Sequence, residues 1–157
     1  MKKLLKNTVP LWIIMLALVA CADNVVYHSY QHIAGKGWDK GDTLTFNVRI
    51  TDSMPTYYHL YVQIRNRTDY PYQNLLLLVR HNLKDSSIVV TDTVRCTLAN
   101  DAGRWKGKGL GGLFQTFFNV SEYISRYPIG TRTVNVIQGM EDQTLKGIND
   151  VGIRIEK

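Results

Sequence analysis

The amino-acid sequence predicts an all-β fold, an antiparallel two-sheet sandwich of the jelly-roll or immunoglobulin-like kind with about seven or eight short strands. Three observations carry that expectation. Runs of alternating apolar and polar residues recur along the chain, turn-forming Gly, Pro, Asn and Asp separate them, and no helical periodicity extends beyond a turn or two.

Taken in order, Val25 to Ile33 alternates loosely and reads as an edge strand. Its His28 and His32 share a face but stand roughly 13 Å apart along a strand, too far to share one metal. The turn-forming stretch from Gly35 to Asp42 encloses Trp38 and leads into Thr43 to Ile50, where Leu44, Phe46, Val48 and Ile50 alternate with Thr45, Asn47 and Arg49. A period of two over that length marks a half-buried strand. After Asp52-Ser53-Met54-Pro55 the pattern returns from Tyr57 to Asn66, and the two segments are expected to pair as adjacent antiparallel strands. Leu75 to Val79 is apolar on both faces, as in a central strand with a partly covered outer side, and Ile88 to Leu98 follows, rich in β-branched residues. Five glycines fall between positions 103 and 112, which predicts a flexible or bulged loop rather than regular pairing. Leu113 to Val120 resumes a strand, Ser121-Glu122-Tyr123-Ile124 suits a single helical turn, and Pro128-Ile129-Gly130 is a turn. Thr131 to Met140 and Val151 to Glu156 are the last strands. Phe46, Val62, Leu77, Val94, Val134 and Ile153 are expected in the core.

The first residues are of a different kind. Lys2, Lys3 and Lys6 precede an apolar run from Val9 to Ala20, interrupted only by Pro10. That run is shorter than the about 20 helical residues that cross a bilayer core, and a basic start followed by a short apolar stretch is the make-up of a secretory signal. It ends in Leu18-Val19-Ala20-Cys21, which resembles the lipobox of bacterial lipoproteins. The resemblance implies that residues 1–20 are a lipoprotein signal peptide and that the Cys21 thiol receives a diacylglycerol and becomes the mature N-terminus. Residues 21–24 are then a lipidated N-terminus and short linker, and residues 25–157 the single β-sandwich domain. The formal charge of +6 describes the precursor, because three of its 19 basic residues and none of its 13 acidic ones lie in the signal. The remaining cations form no block, which excludes nucleic acid as a partner. With Cys21 lipidated, Cys96 has no disulfide partner, and between Val94 and Leu98 it reads as a small buried hydrophobe.

Catalytic and metal-binding signatures are lacking: there is no H-E-x-x-H, G-x-S-x-G, paired-cysteine or Walker-type motif, and no cofactor is called for. The carboxylates Asp39, Asp42, Asp52, Asp85, Asp101 and Asp150 lie in turns, where solvation is the default. The aromatic supply says more. Trp38 and Trp105 sit in glycine-rich loops, where they either close the core over the sheet ends or face a partner. Arg104, Lys106 and Lys108 beside Trp105 favour the surface, so these four residues and Trp38 are the candidate partner-binding set. Exposed aromatic rings beside Arg or Asn also suit sugar stacking, which makes a glycan the alternative ligand.

The mature chain resembles the gliding-motility lipoprotein GldH family of the Bacteroidetes. The likeness is carried by the lipobox ending at Cys21, by Gly37-Trp38-Asp39 leading into Thr43-Leu44-Thr45-Phe46, and by Asp92-Thr93-Val94 through Leu98-Ala99-Asn100 to Gly103-Arg104-Trp105-Lys106-Gly107-Lys108-Gly109. It closes with Leu145-Lys146-Gly147-Ile148-Asn149-Asp150-Val151-Gly152-Ile153. The resemblance implies a lipid-anchored protein of the cell envelope, at the periplasmic or surface face of the outer membrane. It further implies a non-enzymatic protein that works with other gliding and type IX secretion components.

Overall fold

The computed structural model describes residues 24–125 and 129–157. The signal segment, Cys21 and Pro128 of the expected turn lie outside the described residues. The strands are β1 (Val25–His32), β2 (Trp38–Asp39), β3 (Leu44–Ile50), β4 (Tyr57–Arg67), β5 (Asn74–Asp85), β6 (Ile88–Thr97), β7 (Lys108–Leu110), β8 (Leu113–Ile124), β9 (Gly130–Gln138), β10 (Thr144–Leu145) and β11 (Ile148–Glu156), with no helix among the described residues.

Antiparallel pairing joins them into a five-stranded sheet in the order β1-β11-β4-β8-β7, a four-stranded sheet in the order β3-β9-β5-β6, and a small pair of β2 with β10. With the three strands of two or three residues set aside, one sheet runs first, last, third and sixth strand, and the other second, seventh, fourth and fifth. That order is a jelly roll, so of the two sandwich types the sequence allows, the immunoglobulin-like one is set aside. Only β5 and β6 follow one another within a sheet among the long strands; each other connection between them crosses the sandwich.

The crossing corrects one expectation from the sequence. β3 and β4 are not neighbours: β3 pairs with β9 and β4 lies between β11 and β8. Alternation makes each strand one-sided and says nothing about which sheet receives it, and both bury their apolar sides. Phe46, Val48 and Ile50 of β3 and Tyr58, Leu60, Val62 and Ile64 of β4 are buried, each 2% exposed or less. The residues between them are held by Asp52, which accepts hydrogen bonds from the Tyr58 hydroxyl and from Lys157 Nζ.

A second difference concerns Ser121 to Ile124, which continue β8 instead of turning helically. Pairing with β4 sets Tyr123 opposite Tyr58 and Glu122 opposite His59, and it buries the Tyr123 ring against Tyr58. A local capping preference is outweighed by that tertiary contact. β5 also runs on past the apolar run ending at Val79 to Asp85, because β6 and β9 pair along it as far as His81 and Asp85 then pairs with Ile88.

Other expectations hold. Among the described residues β1 is an edge strand, bonded only to β11. β5 is central, and Leu75, Leu77 and Val79 are buried while Leu76 and Leu78 are partly covered on the other side. Phe46, Val62, Leu77, Val94, Val134 and Ile153 all lie in the core.

On the outer face of the larger sheet one patch is closed as tightly as the core. Gly152 has no side chain, and the Tyr30 ring occupies the place where a Cβ would stand 2.6 Å from its Cδ1. The Arg65 guanidinium covers that ring at 3.8 Å, while the Tyr30 hydroxyl and His28 Nε2 meet Gln63 Oε1, burying Gln63 completely. Leu77 lies fully buried between the sheets. Leu77→Ala should therefore lower unfolding stability by about 2–5 kcal/mol, measured by urea titration.

Candidate functional site

One end of the sandwich gathers most of the loops. The chain passes there between β1 and β3, between β4 and β5, between β6 and β8, and between β9 and β11. The first described residue, Asn24, is at the opposite end, its carbonyl accepting from the Lys157 amide at 2.9 Å. The 11 residues of β4 run from one end to the other, a length of about 33 Å.

Three close backbone approaches build the loop-bearing end. Trp38 pairs with Leu145 across β2 and β10, and a Cβ on Gly37, whose φ is +101°, would lie 2.7 Å from the Leu145 carbonyl oxygen. Gly147, at φ +84°, packs directly on the backbone of Tyr70, where a Cβ would be 2.5 Å from its Cα. Both positions need the left-handed conformation and the absence of a side chain. The third approach is the glycine-rich segment itself. Gly111 and Gly112 have φ of +63° and +81°, the signs that a two-residue type I′ hairpin turn demands, and they join β7 to β8.

Regular pairing thus survives in part of the glycine-rich stretch expected to be a loose loop. β7 lies so close to β8 that a Cβ on Gly109 would come 2.2 Å from the Leu113 carbonyl oxygen, so glycine is what allows the pairing. The signal for it, Leu110-Gly111-Gly112-Leu113, is legible in the sequence as a two-glycine hairpin turn. Just before it, Asn100 organises a tight loop: its Oδ1 accepts from the amides of Ala102 and Arg104, and Lys106 returns its amide to Leu98.

Trp38 and Trp105 meet different fates. Trp38 is 1% exposed, with its indole N–H donated to the Asp42 carbonyl at 2.9 Å. Burial takes it out of the candidate partner-binding set; it closes the core. Trp105 is half-buried, bridged through its backbone to Ala99 and stacked at tilted angles against Tyr70 and Phe114, with ring centres 6.5 and 6.0 Å away. Tyr70 continues the aromatic chain to Tyr72, whose hydroxyl donates to Asp142 at 2.6 Å. Burial pushes the Tyr70 phenol upward, and the hydrogen bond to Asp142 does the same for Tyr72, so both are neutral donors at neutral pH.

Arg104, Lys106 and Lys108 are exposed around this aromatic base, and none is ion-paired with a carboxylate among the described residues. Leu110, 93% exposed at the hairpin tip, extends the surface and is a residue the composition of the loop did not single out. The end therefore presents Arg104, Lys106 and Lys108, without ion pairs among the described residues, and one apolar tip over an aromatic floor, with the exposed acids Asp101 and Glu141 in the loops of the same end; the three cations suit acidic groups on a partner. A cleft of about 400 Å³ lies alongside, lined by Tyr72, Leu76, Arg95, Met140 and Asp142. Among the described residues no group of three or more His, Cys, Asp or Glu is placed to hold a metal. Cys96 is fully buried, and desolvation pushes its thiol up to about 12.

The geometry separates two roles within this surface. Trp105→Ala should remove a ring that Tyr70 and Phe114 pack against, costing about 2 kcal/mol and lowering the melting temperature by several degrees. Lys106→Ala, fully on the surface, should leave the melting temperature unchanged within a degree in the same calorimetric scan.

Comparison with known proteins places these features in context. A family profile described as GldH lipoprotein matches residues 25–155. The chain is 31% identical over 145 residues to the gliding motility lipoprotein GldH homolog of Christiangramia forsetii, covering 88% of this chain and 87% of that protein. It is 29% identical over 160 residues to the gliding motility lipoprotein GldH of Flavobacterium johnsoniae, covering 98% of each. Among solved structures, a β-fructofuranosidase from Schwanniomyces occidentalis is similar with a TM-score of 0.37 and 8% identity over 85% of this chain and 34% of that one, too distant to bear on function.

Proposed function

The chain belongs to the GldH lipoprotein family, and on that premise we propose that it is a non-enzymatic docking module of the cell envelope, held at the outer membrane by lipid on Cys21. The single observation that carries the reading is the separation of the two ends. The chain emerges at Asn24, three residues after Cys21, beside Val25 on the His59 rung of β4, whereas Lys108 lies on the Arg65 rung, six residues or about 20 Å further along, with Arg104 and Lys106 in the loop before it. An anchored sandwich standing on its N-terminal end would hold these cations beyond the headgroups, where a protein of the gliding or secretion apparatus can reach them. Long-range attraction between such a cluster and an acidic surface speeds encounter and weakens with salt.

A glycan reading has one observation in its favour. On the outer face of the five-stranded sheet, Tyr61 and the half-exposed Phe117 line a shallow depression with Arg154 and Glu156, which offers ring faces and hydrogen-bonding groups side by side. Aromatic rings beside paired polar groups are what a sugar ring needs.

Two measurements test the proposal. Cys21→Ser should leave an uncleaved precursor that takes up no radioactive palmitate; labelling of the variant would overturn the anchor. Capture of envelope proteins by the intact lipoprotein should fall with rising salt and be lost when Arg104, Lys106 and Lys108 are all changed to Glu. Undiminished capture by that variant would remove the cationic end from the function, and binding on a glycan array that Phe117→Ala abolishes would favour the second reading.

A further inference from the structure

The end of the sandwich opposite the cationic surface is apolar. Four features meet there: the chain start at Asn24, the crossing from Ile50 to Tyr57, the end of β8 at Ile124 with the start of β9 at Gly130, and the β5–β6 turn between Asp85 and Ile88. Register places them together, since Val25 aligns with Glu156, Glu156 with His59 and His59 with Glu122, two residues along from the Tyr57–Ile124 pair. In the other sheet Ile50 aligns with Gly130, and Asp85 with Ile88. Thr51 and Asp52 line a depression together with Asn24, Val25 and Lys157.

Large apolar side chains are concentrated at this end. Met54 is 70% exposed, Ile129 67%, Val89 60%, Ile124 53% and Ile88 48%; the other large exposed hydrophobics among the described residues are Tyr57 at this end, Phe117 on the sheet face and Leu110 at the far tip. Exposure of that much apolar surface in one region marks a contact with something other than water. The acids nearby are each engaged: Asp52 by the Tyr58 hydroxyl and Lys157 Nζ, Asp85 by the Ser87 amide and hydroxyl, Glu122 by the Tyr57 hydroxyl and His59. Lys84 is an exposed cation at the same end, and Lys157 stays partly exposed while bound to Asp52. Apolar side chains rimmed by lysine, with carboxylates already paired, match the interfacial layer of a phospholipid bilayer.

The covalent distance decides between a lipid surface and a protein. Cys21 precedes Asn24 by three residues, a reach of at most about 11 Å. We propose that this end of the sandwich docks directly on the bilayer that holds the lipid, with Met54, Ile88, Ile124 and Ile129 seated in the interfacial layer, so that the domain stands upright on the membrane. The inference rests on the lipid anchor at Cys21 proposed above. It adds that the protein surface, and not the acyl chains alone, sets the orientation.

The lipidated full-length chain, reconstituted into phosphatidylethanolamine–phosphatidylglycerol vesicles, provides the test. Met54→Cys, Ile129→Cys and Leu110→Cys variants are each labelled with a thiol-reactive environment-sensitive fluorophore; the lipidated Cys21 has no thiol and Cys96 is buried, so the label reports one site. Fluorophores at positions 54 and 129 should emit at shorter wavelength on reconstitution and be quenched at least twofold by brominated lipid, whereas the one at 110 should change in neither respect. Equal quenching at all three sites would mean a domain lying on its side, and no quenching at 54 and 129 in protein that still floats with the vesicles would mean a free tether; either result overturns the docking while leaving the anchor intact. Protein that fails to float at all would remove the anchor and the docking with it.

Discussion

The insertion of the last strand between the first and the fourth is the contact on which the larger sheet depends. β11 bonds to β1 on one side and to β4 on the other, and among the described residues β1 has no other strand neighbour. Without residues 148–156 the first strand would have nothing to pair with, and Val151, Ile153 and Ile155 would be missing from the floor of the core. The constraint also brings the two ends of the folded chain together at Asn24 and Lys157. Such pairing across nearly the whole sequence has a large loop-closure cost and is compensated only when the two sheets pack. The jelly roll is accordingly a cooperative object, with few parts that could stand alone.

From that closure follows the polarity of the molecule. Because the ends meet at one pole, the long connections accumulate at the other, and the two poles acquire different surfaces. The pole beside Asn24 is apolar with paired acids; the opposite pole carries Arg104, Lys106 and Lys108 on an aromatic floor. β4, running the full distance, is the rigid spacer between them. Under the anchor proposed at Cys21, one pole would face the membrane and the other a partner, a division that the topology of the sandwich allows.

Glycine has two distinct uses in building the loop-bearing pole. At Gly37, Gly111, Gly112 and Gly147 the backbone is left-handed, while at Gly107 and Gly109 the conformation is ordinary and the missing Cβ lets another strand approach. Both uses serve close backbone contact, and they explain why Gly37-Trp38-Asp39, Gly103 to Gly109 and Leu145-Lys146-Gly147, so far apart in the chain, contribute to one pole. Trp105 stands at the centre as part of the floor, steadied by Tyr70 and Phe114, and its indole is as much a structural support as a contact surface.

By itself the sequence determined most of the long strands and which of their residues face inward, because a period of two written in Leu44, Phe46, Val48 and Ile50, or in Val151, Ile153 and Ile155, follows from the geometry of the pleat; the end of β8 and the pairing of β7 were decided by tertiary contact. Its ordered motifs also carried the family. It could not determine partners across sheets: the alternation in β3 and β4 is the same whether the strands lie side by side or face to face, and only packing placed them in opposite layers. Nor could it decide Trp38 against Trp105, since both sit among glycines, and the difference lies in which loop folds onto β10 and which onto Tyr70. The two poles were likewise invisible, because Met54, Ile88, Ile124 and Ile129 come from separate connections and become one surface only when the chain closes on itself.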